Sequence, residues 1–116
     1  MLRRLSEADC RAAIREGDFL PGVAGAAPRV AVVLTQSWCP QWVHLRSRLE
    51  ALPAEGSPEV FWVEYDLEPF FDEFMAWKED ALGNREVPYV RYYRDGRLVA
   101  TSNYVDQRGF LDRFGR

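Results

Sequence analysis

The chain has 116 residues, of which 47% are hydrophobic and 28% are charged, and its formal net charge is -3. This length is typical of one domain, so we expect a single domain over residues 1–116 with a packed core. A weakly acidic chain lacks the basic surface that a nucleic-acid binder needs, and no segment is apolar for long enough to span a membrane. We therefore expect neither a nucleic-acid nor a membrane partner.

The N-terminal segment and the cysteines bear on the location of the protein. Met1-Leu2-Arg3-Arg4 begins with positive charge but leads into a polar helix, whereas a secretory signal would continue with an apolar segment. We therefore expect a cytoplasmic protein. Its two cysteines, Cys10 and Cys39, should both be free thiols in a reducing compartment.

The first predicted element is a helix that starts at Ser6 and ends at Gly17. Ser6 and Asp9 form a capping-box-like pair, and glycine is the residue most often found just after a helix end. The segment from Phe19 to Pro28 contains two glycines and two prolines and shows no periodicity. It is therefore predicted to be a loop.

A strand and a second helix follow. The continuous apolar run from Val30 to Leu34 is typical of a central strand that is covered on both faces. A helix then begins near Cys39, with Pro40 at its first position, and its apolar residues recur at helical spacing until Pro53 stops the pattern. The segment from Glu59 to Tyr65 is a second candidate strand.

The third predicted helix runs from Pro69 to Leu82, before Gly83-Asn84, and is apolar over more than half of its circumference. One stripe of this helix comprises Phe70, Phe74, Trp77 and Ala81. Such a wide apolar surface indicates either a helix packed beneath neighbouring elements or a face that binds a partner.

The C-terminal part predicts a β-hairpin and a last helix. Asp95-Gly96 is a strong signal for a two-residue turn, and Asp106 can cap a helix that carries Phe110, Leu111 and Phe114. The strand-helix-strand portion upstream predicts a parallel pair with a right-handed crossover, to which the hairpin adds antiparallel strands. We therefore expect an α/β fold, with a mixed sheet and helices on both faces.

Three motifs, in order along the chain, resemble the thioredoxin-like superfamily, which includes thioredoxins and glutaredoxins. Trp38-Cys39 lies at a strand-to-helix turn, as in the Trp-Cys-x-x-Cys motif of the superfamily. Val87-Pro88 precedes a strand, as does its cis-proline loop, and the segment from Tyr92 to Val99 resembles its penultimate hairpin. The resemblance runs from about Val30 to the C-terminus. It implies a three-layer α/β/α fold with a mixed central sheet, a terminal hairpin, a C-terminal helix and a thiol site at Cys39.

The sequence departs from the superfamily at this site. Trp42 stands where the second cysteine is expected, so the Cys-Pro-Gln-Trp motif is degenerate. Pro40 is closer to the Cys-Pro-x-Cys pattern of glutaredoxins, yet "TSNYVD" replaces the glycine pair that they use to hold glutathione. Val33 replaces the buried acid that thioredoxins carry six residues before the cysteine. The residues for a thioredoxin-type proton transfer and for a standard glutathione site are therefore missing.

Cys39 is the candidate catalytic residue. A sulfur at a helix N-terminus faces unpaired backbone N–H groups and the positive end of the helix dipole, and both favour the nucleophilic thiolate. Because Trp42 cannot act as a second thiol, a mixed disulfide on Cys39 would need an external thiol reductant. We predict monothiol thiol-disulfide exchange, in cell redox homeostasis, on a protein or a low-molecular-weight thiol or disulfide, with no metal and no cofactor.

The predicted substrate-binding residues surround this cysteine and are Trp38, Pro40, Trp42, Val87, Pro88 and Tyr89. By the resemblance, a cis bond before Pro88 leaves the Val87 backbone free to pair with an extended substrate. Trp42 is either a structural plug or part of an aromatic floor with Trp38 and Tyr89. The alternative function is a catalytically degenerate module that binds a peptide or protein partner in this aromatic groove, with Cys39 incidental.

The other polar candidates have simpler interpretations. Cys10 is predicted to be buried in the first helix, and His44 to be solvated on the second. Two cysteines and one histidine at these spacings do not make a zinc site. Glu64 and Asp66 end the second strand, where capping and solvation are favoured over a proton relay to Cys39.

Overall fold

The computed structural model describes residues 2–115. The helices and strands are, in chain order, β1 (Leu2–Arg4), α1 (Glu7–Glu16), α2 (Pro21–Ala24), β2 (Arg29–Thr35), α3 (Pro40–Glu50), β3 (Glu59–Glu64), α4 (Phe71–Ala76), β4 (Tyr89–Arg94), β5 (Arg97–Ser102) and α5 (Gln107–Asp112). A 3₁₀ turn, Tyr65–Leu67, follows β3, and a π-helical segment, Trp77–Ala81, continues α4.

The five strands form one mixed sheet in the order β1-β3-β2-β4-β5. β2 and β3 are parallel, which confirms the predicted strand-helix-strand unit, and β4 runs antiparallel to β2. β4 and β5 form the predicted hairpin. Asp95 and Gly96 form its turn with φ values of 50° and 80°, the left-handed conformation that two-residue hairpin turns require.

Two short elements depart from the predicted order. β1 is an edge strand that pairs in parallel with β3, and α2 begins at Pro21 inside the segment predicted to be a loop. Elements of three and four residues are too short to show periodicity in the sequence. The predicted loop from Phe19 to Pro28 is therefore wrong in its centre.

The predicted ends of α1 are confirmed. The Ser6 hydroxyl accepts a hydrogen bond from the Asp9 N–H at 3.0 Å, and the Asp9 carboxylate accepts one from the Ser6 N–H at 3.4 Å. Gly17 ends the helix at φ 89°. These reciprocal bonds satisfy backbone donors that the first helical turn leaves unpaired.

One face of the sheet is covered by α1, α2 and α4; we call this side the first core layer. Its buried side chains include Cys10, Val32, Leu34, Phe70, Phe74, Trp77 and Tyr89. The Phe74 ring centroid lies 5.3 Å from those of both Tyr65 and Trp77. The aromatic part of the stripe on the third predicted helix is thus core, which decides between the two interpretations of that stripe.

The opposite face is covered by α3 and α5; we call this side the second core layer. Its buried side chains include Ala31, Val33, Trp42, Leu45, Val90, Tyr92, Phe110 and Phe114. Alternate residues of β2 point into the two layers, which is why its sequence is continuously apolar. The result is the expected three-layer α/β/α arrangement. Among residues 2–115, no helix has the length and apolar character needed to cross a membrane.

Candidate functional site

Cys39 lies where the central strand β2 passes into α3. The turn after β2 closes with a hydrogen bond from the Cys39 N–H to the Gln36 carbonyl at 3.2 Å. Cys39 is the N-cap residue, in an extended conformation, and Pro40 is the first helical residue. The strand end and the helix start therefore place the sulfur at the N-terminus of α3, as the sequence predicts.

Asp66 anchors the turn that carries Cys39. Its carboxylate accepts hydrogen bonds from the Ser37 N–H at 2.8 Å and from the Ser37 hydroxyl at 2.6 Å. Asp66 can reach Ser37 because β3, which precedes it, is parallel to β2 and both strands end at the same edge of the sheet. Sequence reasoning missed this contact because its partners are 29 residues apart.

The Cys39 sulfur faces the loop that precedes β4. The thiol donates a weak hydrogen bond to the Val87 carbonyl, with an Sγ–O distance of 3.7 Å, and the Val87–Pro88 peptide bond is cis. Only 3% of Cys39 is exposed. The site is thus a thiol enclosed between the start of α3 and one backbone carbonyl.

Trp42 fills the space beneath the first turns of α3. It is completely buried, and its Nε1 donates a hydrogen bond to the Glu64 carboxylate at 2.9 Å. Its ring lies 6.1 Å from that of Trp62, and the Arg46 guanidinium lies 4.5 Å from the Trp62 ring and 3.8 Å from Glu64. This geometry corresponds to the plug interpretation of Trp42. It also corrects the view of Glu64 as a capping or solvated residue, since its carboxylate holds an indole.

The predicted aromatic floor does not form. Tyr89 is buried in the first core layer, whereas Trp42 lies in the second. Trp38 is 65% exposed, and its Nε1 donates to the Gln36 side chain at 2.6 Å. The reason is the alternation of side chains along β4, which sends Tyr89 and Val90 to opposite faces of the sheet.

An apolar rim lies beside the cysteine instead. Trp38 precedes Cys39, Val43 lies one helical turn after it, and both are exposed. Leu67, which is 66% exposed, follows Asp66 and is therefore next to the Ser37–Asp66 contact. Sequence reasoning missed Leu67 because a single leucine in a turn carries no pattern.

Cys10 belongs to a different environment. It is buried in the first core layer, as predicted, and burial raises the pKa of its thiol to about 12, with the carboxylates of Glu68 and Asp9 adding to this effect. Both cysteines are free, and they lie in different core layers on opposite faces of the sheet. Cys10 is therefore badly placed to act as a second thiol for Cys39.

His44 and the acidic residues do not build a metal centre. His44 is exposed on α3, with its ring 6.1 Å from that of Tyr104. Within residues 2–115, no group of three or more His, Cys, Asp or Glu residues could hold a metal ion.

A pair of asparagines holds the loop that faces Cys39, which we call the 84–88 loop. The Asn84 and Asn103 side chains exchange two hydrogen bonds, at 3.1 and 3.0 Å, and the Asn103 amide also donates to the Pro88 carbonyl at 3.1 Å. Asn103 lies in the "TSNYVD" segment that replaces the glycine pair of glutaredoxins. Its role could not be found from the sequence, because asparagines are common in ordinary turns.

Lys78 approaches the same loop from the π-helical segment. Its side chain is fully buried, and Nζ donates to the Asn84 carbonyl at 2.9 Å. Burial lowers the pKa of Lys78 from 10.5 to about 8, against the opposing effect of the Glu79 and Glu86 carboxylates. A buried ammonium was not expected in a helix with such an apolar pattern.

A second buried cation, Arg91, ties the loop after α1 to the sheet. Its guanidinium donates to the hydroxyls of Tyr89 and Tyr93, each at 3.0 Å, and to the Asp18 carboxylate at 2.9 Å. Burial lowers the pKa of Arg91, but the effects of Tyr93 and Asp18 outweigh it, so the guanidinium stays charged. All three hydrogen bonds go to side chains of the protein, which makes this a structural network.

Comparison with solved structures identifies the fold. Thioredoxin f from spinach chloroplast superposes with a TM-score of 0.65 at 16% sequence identity, covering 97% of this chain and 89% of that one. A point mutant of the thioredoxin from Halobacterium salinarum gives a TM-score of 0.63 at 20% identity, covering 97% and 84%. Buckwheat glutaredoxin in its glutathione complex gives 0.57 at 18% identity, covering 95% and 90%.

No protein-family model matches the sequence, and no curated protein matches it. The structural matches nevertheless cover nearly the whole chain and include both thioredoxins and glutaredoxins. The protein therefore has the thioredoxin-like fold.

Proposed function

We propose that this protein performs monothiol thiol-disulfide exchange at Cys39. The observation that carries the proposal is the position of the sulfur. Cys39 is the N-cap of an 11-residue helix, at the end of the central strand of a fold shared with thioredoxins and glutaredoxins. A helix N-terminus is a common setting of reactive cysteines in proteins.

The exchange has two balanced steps. The Cys39 thiol loses its proton to solvent, and the thiolate attacks one sulfur of a substrate disulfide. A new S–S bond to Cys39 forms, and the second substrate sulfur leaves as a thiolate. An external thiolate then attacks the substrate sulfur of the mixed disulfide, which releases Cys39 as a thiolate that takes up a proton. Trp42 occupies the position of an internal second thiol, so a low-molecular-weight or protein thiol must supply this step.

The surroundings of Cys39 divide the predicted substrate-binding residues into two groups. Trp38 and Pro40 are exposed, whereas Val87 of the facing loop is half-buried and Pro88 is buried; these four residues are proposed to contact the substrate. Trp42 and Tyr89 are buried and are proposed to support the site from beneath. Because the sulfur itself is barely exposed, the substrate disulfide must be able to reach into a narrow opening.

The reducing cytoplasm is the compartment that fits this cycle best. It keeps both cysteines as thiols and supplies abundant low-molecular-weight thiol for the second step. We propose that the protein acts there, on a protein or small-molecule disulfide.

Trapping of a mixed disulfide tests the proposal. The Cys10→Ser protein, which retains only Cys39, is incubated with glutathione disulfide, and the adduct is detected by intact mass. We expect one glutathione adduct, which dithiothreitol removes. The matched Cys39→Ser protein should form none, because Cys10 is buried with a strongly raised pKa. Modification of Cys39→Ser but not of Cys10→Ser would refute the proposal.

A second candidate function is a binding module without exchange chemistry. It is favoured by the exposed apolar rim of Trp38, Val43 and Leu67, to which an extended apolar segment of a partner protein could bind. Here the Cys39→Ser protein should bind apolar peptides as well as the unaltered protein does, whereas a Trp38→Ala/Leu67→Ala protein should not. Titration of both proteins with a peptide library would separate the two functions.

A further inference from the structure

Lys78 is an unusual residue for its position. It lies on the first-layer side of the fold with none of its side chain exposed, and among residues 2–115 no carboxylate lies within ion-pair distance of its Nζ. The ring centroid of Tyr89 is 5.8 Å from Nζ. Burying an ammonium without a carboxylate is costly, and an apolar residue of similar volume would be more stable there. Stability alone therefore does not account for a lysine at this position.

Two hydrogen bonds join Lys78 to the start of the 84–88 loop. Its Nζ donates to the Asn84 carbonyl at 2.9 Å, and its own carbonyl accepts from the Asn84 N–H at 3.3 Å. The side chain and the main chain of Lys78 thus bind both backbone groups of Asn84. This pair of bonds fixes the start of the loop against the π-helical segment.

Asn84 passes this restraint along the loop. Its side-chain oxygen accepts from the Glu86 N–H at 3.0 Å, and its side chain is paired with Asn103, which in turn donates to the Pro88 carbonyl. Between Glu86 and Pro88 lies Val87, whose carbonyl accepts the Cys39 thiol at 3.7 Å. Hydrogen bonds therefore join the buried lysine to Glu86 and Pro88, the two covalent neighbours of the residue that faces the sulfur.

We propose that Lys78 is a positioning residue, which holds the 84–88 loop over Cys39 and so controls access of disulfides to its sulfur. This inference rests on the proposed exchange function of Cys39 and adds a residue, remote from the sulfur, that sets its accessibility. The hydrogen bond to Asn84 supplies the restraint.

The charged groups that the structure describes around Lys78 do not hold it in an ion pair, so its restraint on the loop comes from the hydrogen bond to Asn84. Glu79 on the same segment and Glu86 in the loop are the carboxylates that act on it, and Glu79 is paired with Arg85 at 3.1 Å. On the β4 side, Tyr89 presents its ring, and the Arg91 guanidinium lies 5.9 Å from the same ring. The Tyr89 ring is thus close to both buried cations.

The test uses the Cys10→Ser background, in which Cys39 is the only thiol. Lys78→Met keeps the volume of the side chain but removes the donor to Asn84. We expect iodoacetamide to alkylate Cys39 about fivefold faster in this variant, as loss of one stabilising hydrogen bond implies. The urea midpoint should stay the same or rise, because a buried charge has been removed. Amide exchange of the Glu86 N–H should also become faster.

Three further variants complete the test. Asn103→Ala removes the tether at the other end of the loop, so alkylation of Cys39 should again become faster. Asp72→Asn alters an exposed carboxylate on α4, the helix that precedes the segment of Lys78, and should leave the rate unchanged. Lys78→Leu, which also removes the donor to Asn84, keeps the proposal testable if Lys78→Met fails to fold.

The proposal is overturned if Lys78→Met leaves both the alkylation rate and the Glu86 exchange within twofold of the parent protein. It is equally overturned if the faster alkylation is matched by a proportional fall in global stability, because Lys78 would then be merely structural. Failure of glutathione exchange in the parent protein would refute the proposed function instead. Alkylation and amide exchange would still report on the loop in that case.

Discussion

The two core layers of the sheet each enclose one cysteine, and the two thiols lie in very different surroundings. Cys10 is in the middle of the face of α1, where burial raises its pKa to about 12. Cys39 is at the N-terminus of α3, just beyond the C-terminal end of the central strand β2, and its thiol donates to the Val87 carbonyl. Both thiols are buried, but only Cys39 adjoins a helix N-terminus and the carbonyl of a facing loop.

The layers also differ in where they place charge. The first core layer contains the buried cations Lys78 and Arg91. Lys78 is hydrogen-bonded to the 84–88 loop, and Arg91 is hydrogen-bonded to Asp18 in the loop after α1. The second contains an apolar cluster whose one buried indole donates to Glu64 at its border. The first layer thus positions loops by polar contacts, and the second supports α3 by packing.

The largest expected effect comes from breaking the packing of the second layer. Trp42→Ala removes a fully buried indole and should lower the free energy of unfolding by about 3–5 kcal/mol, because it leaves a cavity beneath α3. Urea unfolding measures this loss. Trp42→Phe, which keeps most of the ring and loses the bond to Glu64, should cost clearly less. A loss below about 1 kcal/mol for Trp42→Ala would show that the indole is not a plug.

The next effect concerns the buried lysine of the first layer. The folded-state pKa of Lys78 is about 8, against 10.5 in the unfolded chain, so the charged lysine destabilises the fold below pH 8 by at most about 3 kcal/mol. Between pH 8 and 10.5 the unfolded state binds the proton that the folded state has released, and this penalty disappears. Lys78→Met should therefore be more stable than the parent protein at pH 7, and the difference should shrink as the pH rises.

Urea midpoints of both proteins from about pH 6.5 to about pH 10 measure this difference. Cys10 acts in the opposite direction above pH 9, because the folded state keeps a proton that the unfolded thiol loses, but this contribution is common to both proteins. A difference that is independent of pH would contradict the assignment of Lys78 as a buried titrating group.

Removing the anion of the Arg91 network should have a smaller effect. Asp18→Ala leaves the buried guanidinium with its two tyrosine hydroxyls and without a carboxylate. Since Asp18 is itself partly exposed, we expect a loss of about 2 kcal/mol, less than for a fully buried pair. The double variant with Arg91→Met should recover part of the loss in urea unfolding. Full additivity of the two single losses would argue against a coupled pair.

The smallest effect on stability is expected at the exposed rim. Trp38→Ala should change the free energy of unfolding by less than about 0.5 kcal/mol, because the side chain is largely exposed. If the rim contacts polypeptide substrates, the variant should exchange about fivefold more slowly with a peptide disulfide and at an unchanged rate with glutathione disulfide. Equal slowing with both disulfides would mean that Trp38 acts on the thiol itself.

Local patterns in the sequence predicted much of the framework. The cap of α1 at Ser6, the turn at Asp95-Gly96 and the start of α3 after Cys39 all depend on neighbouring residues, and the structure has each of them. The apolar run of β2 likewise predicted a central strand. The short elements β1 and α2 were not predicted, because three or four residues are too few to show a hydrophobic periodicity.

The surroundings of the cysteine were predicted less well. One of the two interpretations of Trp42 grouped it with Trp38 and Tyr89, but the pleat of β4 turns Tyr89 away from the other two. The contacts that shape the site join residues far apart in the chain, such as Ser37 with Asp66 and Trp42 with Glu64. Composition and spacing contain no signal for such pairs.

The sequence by itself therefore determined the order of the main helices and strands and the position of a lone cysteine at a helix start, because capping, turn formation and periodicity act over a few residues. Only the tertiary structure decided that Trp42 is buried and bonded to Glu64, that Cys10 and Cys39 lie in different core layers, and that Lys78 reaches the loop that faces the sulfur. These facts depend on which face of the sheet each side chain enters and on which strand ends lie side by side. Both are settled when the strands pair and the two core layers close.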